Sequence, residues 1–377
     1  QQYKEIKSLG LLNENTQLYK LCKAILKQEE MLKQIYKLGE LEIYKKYKEK
    51  QLQEHKLIDL FWECTLTCNA KCKHCGSSAE KRKYEGELTT EEIKKAFKQI
   101  SQDMDATKIW IDVTGGEPLM RKDLCEVMEY ATNELGFRWG MTSNGMLLND
   151  ENIEKLRKAN MESISISIDG LEETHNKFRG VPNSYNIIID NIKKLKKANF
   201  LKIIQVTTVF HKENINQIEE LYNIMLNLGI DSWRLVSMDP IGRANENQDL
   251  LLNGEEIRKI LDFIKADKKN KKMDLQYGCP GFLGIEYEKE VRPQFFYCRT
   301  GISVASILDN GDLFVCPNVP RLPKFIQGNI KRDNFKDIWE NKYKEFRNKE
   351  RTKCDECQNC KEWEYCLGGA FHTWDFK

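Results

Sequence analysis

Apolar positions alternate between two spacings through the middle of the chain. Short apolar or β-branched runs occur at 58–65, 108–114, 137–142, 163–169, 202–210 and 231–237. Between these runs, apolar residues recur at helical spacing, which predicts six strand–helix units in series. Such units form a parallel sheet with right-handed crossovers, which is an α/β architecture. Since a closed barrel needs eight units, we expect an open, partial (β/α)6 barrel.

One of the intervening helices can be predicted in detail. Residues 91–103 have a single apolar face, which consists of Ile93, Ala96, Phe97 and Ile100. Thr89 followed by Glu92 matches a capping box, in which each side chain bonds a backbone N–H at the start of the helix.

The regions on either side of the barrel have different patterns. The first 55 residues show helical spacing without strands; they are either an arm that docks a partner or substrate, or a helix packed outside the barrel. A helix is predicted at 254–268, and residues 275–377 hold too little periodic apolar sequence for a core of their own, so bound metal should help to stabilise them. The predicted parts are a helical N-terminal segment (1–55), the barrel (56–250), a linker or bridging region (251–297) and a cysteine-rich domain (298–377).

Charge and composition exclude several classes of protein. The 377 residues include 60 basic and 58 acidic side chains, a net charge of +2, which argues against binding nucleic acid through its phosphates. No apolar run approaches the roughly 20 residues of a membrane span, and no signal-peptide core is present. We therefore expect a cytoplasmic protein that binds neither nucleic acid nor membrane.

The cysteines are the unusual feature of the composition. In a reducing cytoplasm, thirteen cysteines in clusters indicate metal binding rather than disulfides. Four lie between Cys64 and Cys75, and seven lie between Cys279 and Cys366. We interpret the isolated cysteines as small core residues, and these are Cys22 and Cys125.

The first cluster contains three cysteines, Cys68, Cys72 and Cys75, just after the first predicted strand. Loops at this end of barrel strands carry the chemistry of such folds. Three thiolates can bind three irons of a [4Fe–4S] cluster and leave the fourth iron open to a chelating ligand. A structural zinc is the alternative, with Cys64 as its fourth ligand.

The triad, with the aromatic His74 before its last cysteine, resembles the signature of the radical S-adenosylmethionine (SAM) superfamily. The second strand ends in a segment similar to the family's GGEP motif, Gly115-Gly116-Glu117-Pro118. Two glycines let the backbone approach a ligand, and a carboxylate can pair with the ammonium group of SAM. The resemblance implies that this motif and His74 bind the cofactor.

Motifs after the later strands resemble further SAM-binding segments of the family. They are Thr142-Ser143-Asn144-Gly145, Ser165-Ile166-Ser167-Ile168-Asp169-Gly170, His175-Asn176-Lys177-Phe178-Arg179-Gly180 and Pro240-Ile241-Gly242-Arg243-Ala244. The family more often has aspartate at the position of Asn176, which puts an acidic role there in doubt. The resemblance implies SAM contacts from Asn144, Ser165, Ser167, Asp169, Arg179 and Arg243.

The resemblance also implies a reaction at the catalytic triad of Cys68, Cys72 and Cys75. A reduced cluster there would pass one electron to SAM and cleave it to methionine and a 5′-deoxyadenosyl radical, which abstracts hydrogen from a C–H bond. The cofactor carries this chemistry, and the protein supplies positioning and excludes water. The electron would come from a donor such as flavodoxin or ferredoxin.

The C-terminal cysteines resemble the SPASM extension of a subset of these enzymes, which usually carries two auxiliary [4Fe–4S] clusters. The matching elements are Cys298-x12-Gly311-x4-Cys316, Gly328-Asn329-Ile330 and Cys357-x2-Cys360-x5-Cys366; Ala370 stands where a further cysteine is common. We assign a closed outer cluster to Cys354, Cys357, Cys360 and Cys366. An inner cluster with one open iron, able to bind a substrate thiolate, is assigned to Cys279, Cys298 and Cys316. A pair of zinc knuckles is the alternative.

The resemblance implies a peptide substrate, with a cysteine and a leader, because SPASM-bearing enzymes mostly modify peptides. The leading hypothesis is a maturase that forms a thioether or another crosslink in a ribosomally made peptide. A sulfatase-maturing, formylglycine-forming enzyme is less favoured, because such enzymes typically carry an aspartate where this chain has Pro317. Two further hypotheses are tetrapyrrole chemistry and a non-catalytic, peptide-binding iron–sulfur scaffold.

Overall fold

A computed structural model of the chain describes residues 17–81, 85–268 and 272–374. The strands of this part are β1 (Asp59–Thr65), β2 (Trp110–Gly115), β3 (Arg138–Ser143), β4 (Ser163–Ser167), β5 (Ile203–Phe210), β6 (Ser232–Ser237), β7 (Asp274–Tyr277), β8 (Val304–Ile307), β9 (Asp312–Phe314) and β10 (Gly328–Asn329). The helices are α1 (Gln17–Glu54), α2 (Thr90–Asp103), α3 (Leu124–Asn133), α4 (Asp150–Lys158), α5 (Glu172–Arg179), α6 (Ser184–Ala198), α7 (Ile218–Leu228), α8 (Gly254–Asp267), α9 (Ile285–Val291), α10 (Phe335–Asn341), α11 (Lys344–Arg347) and α12 (Trp363–Cys366).

All of these strands belong to one sheet, in the order β10-β9-β8-β1-β2-β3-β4-β5-β6-β7. Strands β1 to β8 pair in parallel, whereas β9 pairs antiparallel with both β8 and β10. The sequence-predicted strands correspond to β1–β6, with ends that differ by at most two residues. The α/β class and the open, partial barrel are therefore confirmed.

The apolar face of each strand packs against helices outside the sheet. In β1 the alternation is strict: Leu60, Trp62 and Cys64 are fully buried in the main hydrophobic core. The same core includes the predicted face of α2, and the capping box of Thr89 and Glu92 is present at its start. Because side chains alternate along a strand, the opposite face of β1 is left free to line the interior of the barrel.

The C-terminal region extends the barrel sheet. Strand β8 pairs with β1 in register from Asp59–Val304 to Trp62–Ile307. The predicted linker region contributes α8, β7 and α9, and β7 continues the parallel sheet beyond β6. Residues 55–377 form one compact unit, so the predicted boundaries at 250 and 297 fall inside it.

Residues 1–54 form the other unit, and within it α1 is a single helix of 38 residues. The first 16 residues and the side chain of Cys22 lie outside the described part of the chain. The two interpretations of this segment, docking arm or packed helix, stay predictions. None of the described helices is long and apolar enough to cross a membrane.

Candidate functional site

A cavity of about 340 Å³ lies where the carboxyl ends of β1–β6 meet. The sequence-predicted residues that line it are Cys68, Cys72, His74, Cys75, Gly115, Gly116, Asn144, Ser167, Arg179 and Arg243. Its wall also includes Cys279, Pro317 and Asn318, which belong to the C-terminal half of the chain. The predicted SAM-binding residues that do not line the cavity are Glu117, Pro118, Ser165 and Asp169, and of the predicted auxiliary cysteines only Cys279 lines it.

Cys68 and Cys72 of the triad are buried, and their sulfurs receive N–H donors, whereas Cys75 is partly buried. The backbone N–H of Ala70 lies 3.4 Å from Cys68 Sγ, and Arg179 Nη1 lies 3.5 Å from Cys72 Sγ. Burial raises the pKa of Cys68 to about 11 and also raises the pKa of Cys72. Without metal, these thiols would therefore stay protonated at neutral pH, whereas an iron ligand is a thiolate held by the metal charge. N–H donors around sulfur are typical of iron–sulfur sites, so this donor set fits a cluster.

Cys64 faces away from the triad. Its side chain is fully buried among apolar residues outside the sheet, while Cys68 and Cys72 belong to a separate buried group inside. Desolvation raises the pKa of Cys64 far above its ordinary value. Cys64 is thus a core residue. Cys125 is partly buried against the same core, as predicted, and burial raises its pKa to about 11.

Arg179 connects the triad to the end of β4. Its Nε donates to Asp169 Oδ2 at 2.6 Å, and Asp169 Oδ1 accepts the backbone N–H of Val209 at 2.8 Å. Burial is the largest single effect and disfavours charge on Asp169, but the adjacent Arg179 guanidinium, two nearby histidines and the Val209 N–H together keep its pKa below the ordinary value. Asp169 therefore orients Arg179 toward Cys72 and does not itself reach the cavity.

An aromatic stack supports the triad loop from beneath. The His74 ring lies 4.7 Å from the Phe178 ring at an angle of 4°, and Phe178 stacks in turn on His211 at 4.0 Å. Burial, with the Arg179 charge nearby, lowers the pKa of His74 to about 3, so the ring is neutral. The backbone N–H of Lys73 also bonds the Phe178 carbonyl at 3.0 Å. Sequence reasoning missed Phe178 and His211, which no local spacing relates to the triad.

The motif glycines are sites of close backbone packing. A Cβ on Gly116 would lie 2.4 Å from the Thr67 carbonyl oxygen. Gly242, at φ +58°, would place a Cβ 2.4 Å from the carbonyl oxygens of both Cys75 and Gly76. Each motif loop therefore lies directly against the backbone of the triad loop, which only glycine allows.

Glu117 is buried behind the cavity wall and does not line the cavity. It is fully buried; its Oε1 accepts from Ser143 Oγ at 2.9 Å and its Oε2 from the Asn144 backbone N–H at 2.8 Å. Burial raises its pKa despite these donors. In this structure Glu117 fixes the loop that carries Asn144, whose side chain lines the cavity. A direct contact of Glu117 with SAM stays a prediction.

Arg243 offers a donor to a ligand. Its Nε and Nη1 bond the carbonyls of Cys72 and Ala79 at 2.7 and 2.8 Å. Its Nη2 is buried and has no hydrogen-bond partner among the described residues. A buried donor without a partner costs free energy, which a bound group would recover. The unpartnered Nη2 of Arg243 therefore indicates that the residues here fit a bound cofactor.

The inner auxiliary cysteines lie near one another, and one of them, Cys279, lines the cavity. Asn318 Nδ2 lies 3.4 Å from Cys279 Sγ, and the Phe371 backbone N–H lies 3.5 Å from Cys298 Sγ. Burial raises the pKa of Cys316 to about 12, and the neighbouring Cys279 and Cys298 sulfurs add to the effect. The sulfurs of the predicted inner set therefore receive N–H donors, as those of Cys68 and Cys72 do.

The outer cysteines lie in consecutive turns near the end of the described chain. The sulfurs of Cys354 and Cys357 are 3.2 Å apart, and the Cys360 backbone N–H bonds the Cys357 carbonyl at 3.2 Å. Cys366 ends the short helix α12. Cys354 and Cys360 are exposed, so this set faces the surface, away from the cavity wall.

A buried ion pair bonds the backbone of the segments that contain Cys279 and Cys298. Sequence reasoning missed this pair. Arg292 pairs with the fully buried Glu288 and donates to the carbonyls of Gly278 and Gly281 at 2.9 and 3.1 Å, on either side of Cys279. Glu288 Oε2 accepts the backbone N–H of Phe296 at 2.9 Å, two residues before Cys298. One pair thus fixes two of the three cysteine-bearing segments.

Substituting Gly242 by alanine should disturb the triad. The added Cβ meets two backbone oxygens at a positive φ, so the loop must move or the protein loses about 1–3 kcal/mol of unfolding free energy. We expect a weaker electron paramagnetic resonance (EPR) signal from the triad cluster after anaerobic reconstitution. Gly254→Ala is the control, because its Cβ would meet nothing within 4 Å. An unchanged signal in Gly242→Ala would contradict the close packing.

Substituting Arg292 by methionine should weaken iron binding at the inner auxiliary site. Loss of a residue that supports metal ligands typically lowers metal affinity about 10- to 100-fold. Iron content and EPR, measured in a background with Cys68, Cys72 and Cys75 replaced by alanine, would report the auxiliary clusters alone. Arg332→Met, at an exposed arginine, is the matched control. Equal iron in both variants would show that the ion pair does not support the site.

Comparison with known proteins agrees with the geometry. A family model described as the radical SAM superfamily matches residues 62–225, and one described as an iron–sulfur cluster-binding domain, SPASM, matches residues 298–361. The AdoMet-dependent heme synthase of Methanosarcina barkeri is 30% identical over 328 residues, covering 81% of this chain and 89% of that protein. The mycofactocin maturase MftC of Mycolicibacterium smegmatis is 28% identical over 326 residues, covering 83% and 78%.

The fold is similar to that of SuiB from Streptococcus suis, solved with S-adenosylmethionine bound. The TM-score is 0.66 at 18% identity, with 85% of this chain and 75% of SuiB covered. The two matched models imply [4Fe–4S] clusters and SAM as the cofactors, so the metal is iron–sulfur and not zinc. With a 30% identical relative covered over most of its length, the chain belongs to the radical SAM superfamily and carries a SPASM domain.

Proposed function

We propose that this radical SAM enzyme is a peptide maturase that joins a cysteine sulfur to a carbon atom of a ribosomally made peptide. One observation carries the proposal: the radical SAM triad and the auxiliary residue Cys279 line the same cavity. A substrate in that space would have a C–H bond near SAM and a sulfur near the auxiliary cysteines. The names of two similar proteins favour a peptide, because MftC is a maturase and SuiB was also solved with a precursor peptide.

The chain's own residues have distinct roles in this proposal. Cys68, Cys72 and Cys75 would hold the cluster, and the N–H donors of Ala70 and Arg179 would stabilise the charge on its sulfurs. When bound, the cluster and SAM supply an organic radical that abstracts hydrogen from carbon. The free Nη2 of Arg243 would bind part of the cofactor, and the buried wall would exclude water.

The inner set of Cys279, Cys298 and Cys316 would hold an auxiliary cluster with three protein ligands. The open iron would take a substrate thiolate, because a bound cation lowers the pKa of a thiol. Pro317 and Asn318 line the cavity beside Cys279 and would border the bound sulfur.

Tetrapyrrole chemistry is the second candidate, because the 30% identical relative is a heme synthase. The cavity wall fits such a substrate less well. Haem precursors carry several carboxylates, which proteins usually bind with free arginines or lysines. Among the described lining residues the cations are Arg179, which is bonded within the protein, and Arg243, whose one unpartnered N–H group is assigned to the cofactor; Asp239 adds a negative charge. The geometry therefore supports a peptide better.

Formylglycine formation is less favoured than either. The position after Cys316 is Pro317, which lines the cavity and offers no carboxylate. A non-catalytic scaffold is set aside, because the chain belongs to an enzyme superfamily.

The proposal is tested with anaerobically reconstituted enzyme, SAM and dithionite. Two substrates are compared: a short cysteine-containing peptide, to be chosen from the reading frames next to this chain's gene, and an iron porphyrin with propionate side chains. We expect the peptide to raise 5′-deoxyadenosine formation and to lose two hydrogen atoms by mass spectrometry. Conversion of the porphyrin but not of the peptide would overturn the proposal in favour of the second candidate.

The role of the inner set predicts a specific variant. Cys279→Ala should still cleave SAM, because the triad is intact, but should form at least about tenfold less crosslink, in line with the loss of a metal-supporting group. Liquid chromatography with mass spectrometry would measure both products. Cys125→Ala is the control, since this cysteine packs against the core of the protein. Full crosslinking by Cys279→Ala would contradict a role for the inner set.

A further inference from the structure

Most titratable groups on the cavity wall already have an assigned role. The lining cysteines belong to the two metal sites, and the two arginines remain protonated. His74 is a weak base, because its burial lowers its pKa to about 3. Asp239 is left as the one carboxylate among the described lining residues.

Asp239 lines the same cavity as the triad cysteines and Cys279, and its carboxylate contacts a histidine. It comes just after the end of β6, and its side chain is 30% exposed, whereas that of His372 is 5% exposed. Nε2 of His372 lies 3.3 Å from Oδ2 of Asp239. His372 follows Phe371, whose backbone N–H bonds Cys298 Sγ, so the pair borders the inner auxiliary set. A half-open carboxylate with a buried partner is a common arrangement for proton transfer.

We propose that Asp239 is the proton acceptor for the substrate's thiol, with His372 as the positioning residue that holds its carboxylate. The inference rests on the proposed function and adds a site to it. The position after Cys316 holds Pro317, so a base must come from elsewhere, and Asp239 shares the cavity with Pro317. The C-terminal turn would then contribute to catalysis through His372, as well as to packing.

The proton transfer completes the balance of the crosslink. Joining a C–H carbon to an S–H sulfur removes two hydrogen atoms. One leaves the carbon as a hydrogen atom, taken by the SAM-derived radical. The other leaves the sulfur as a proton, which Asp239 accepts as its carboxylate becomes a carboxylic acid. The remaining electron passes to an oxidised auxiliary [4Fe–4S] cluster, and Asp239 releases its proton to solvent.

The test compares Asp239→Asn with the wild-type holoenzyme on the gene-adjacent peptide. We expect unchanged iron per chain and unchanged peptide affinity by fluorescence anisotropy. Crosslink formed per 5′-deoxyadenosine should fall at least about tenfold, since general bases contribute about 10²- to 10⁴-fold. Asp262→Asn, the same change at an exposed carboxylate on α8, should match wild type in every readout.

A pH profile separates a lost base from a distorted cavity. In Asp239→Asn the free thiol must lose its proton to solvent before it can bind the iron, so crosslink per 5′-deoxyadenosine should rise between about pH 7 and 9, around the ordinary pKa of a free thiol, about 8.5. Asp239→Glu should restore part of the yield, and His372→Gln should lower it less than Asp239→Asn does. A distorted cavity would lower the yield equally at every pH.

The outcomes distinguish this inference from the proposed function. If wild type crosslinks the peptide and Asp239→Asn does so equally well, the proton acceptor is not Asp239 and the proposed function stands. If Asp239→Asn loses iron or peptide affinity, its role is structural and the inference is wrong. If wild type forms no peptide product, both proposals are overturned together.

Discussion

The radical site depends on one buried guanidinium. Arg179 bonds Asp169 at the end of β4 and the sulfur of Cys72, and its carbonyl accepts the backbone N–H of Lys71 at 3.3 Å. A charge buried this deeply is tolerated only when it is paired and fully bonded. Strand, helix and cysteine loop must therefore come together for any of them to be stable. The glycine contacts and the stacking of His74 on Phe178 further restrict the conformational freedom of the triad loop.

Sequence reasoning succeeded where the cause of the structure is local. The strands, the capping box of α2 and the triad follow from spacings of a few residues, which strand pleat, helix pitch and cluster geometry impose directly. It failed for contacts that only the assembled fold creates. Arg292 and Glu288 read as ordinary surface charges on a short helix, yet they hold the Cys279 loop. Glu117 belongs to a recognisable motif, but no spacing in the sequence reveals that its carboxylate accepts a hydrogen bond from Ser143.

The two cysteine sets belong to distant parts of the chain and meet across one small space. Family membership accounts for the radical chemistry, and it leaves the substrate open, because similar proteins act on different molecules. Among the described residues of the cavity wall, Asp239 is acidic, Pro317 is uncharged, and Arg179 and Arg243 each donate hydrogen bonds to groups of the protein.

The pairing of β8 with β1 has a consequence for how the enzyme can move and be shortened. Strand β1 leads directly into the triad loop, so four residue pairs of backbone ladder tie the C-terminal region to the radical site. The two metal regions cannot separate as hinged domains without breaking that ladder. Removing the C-terminal region would also leave β1 as a bare edge strand, and such edges promote aggregation. Truncated forms of the barrel alone are therefore poor objects for study.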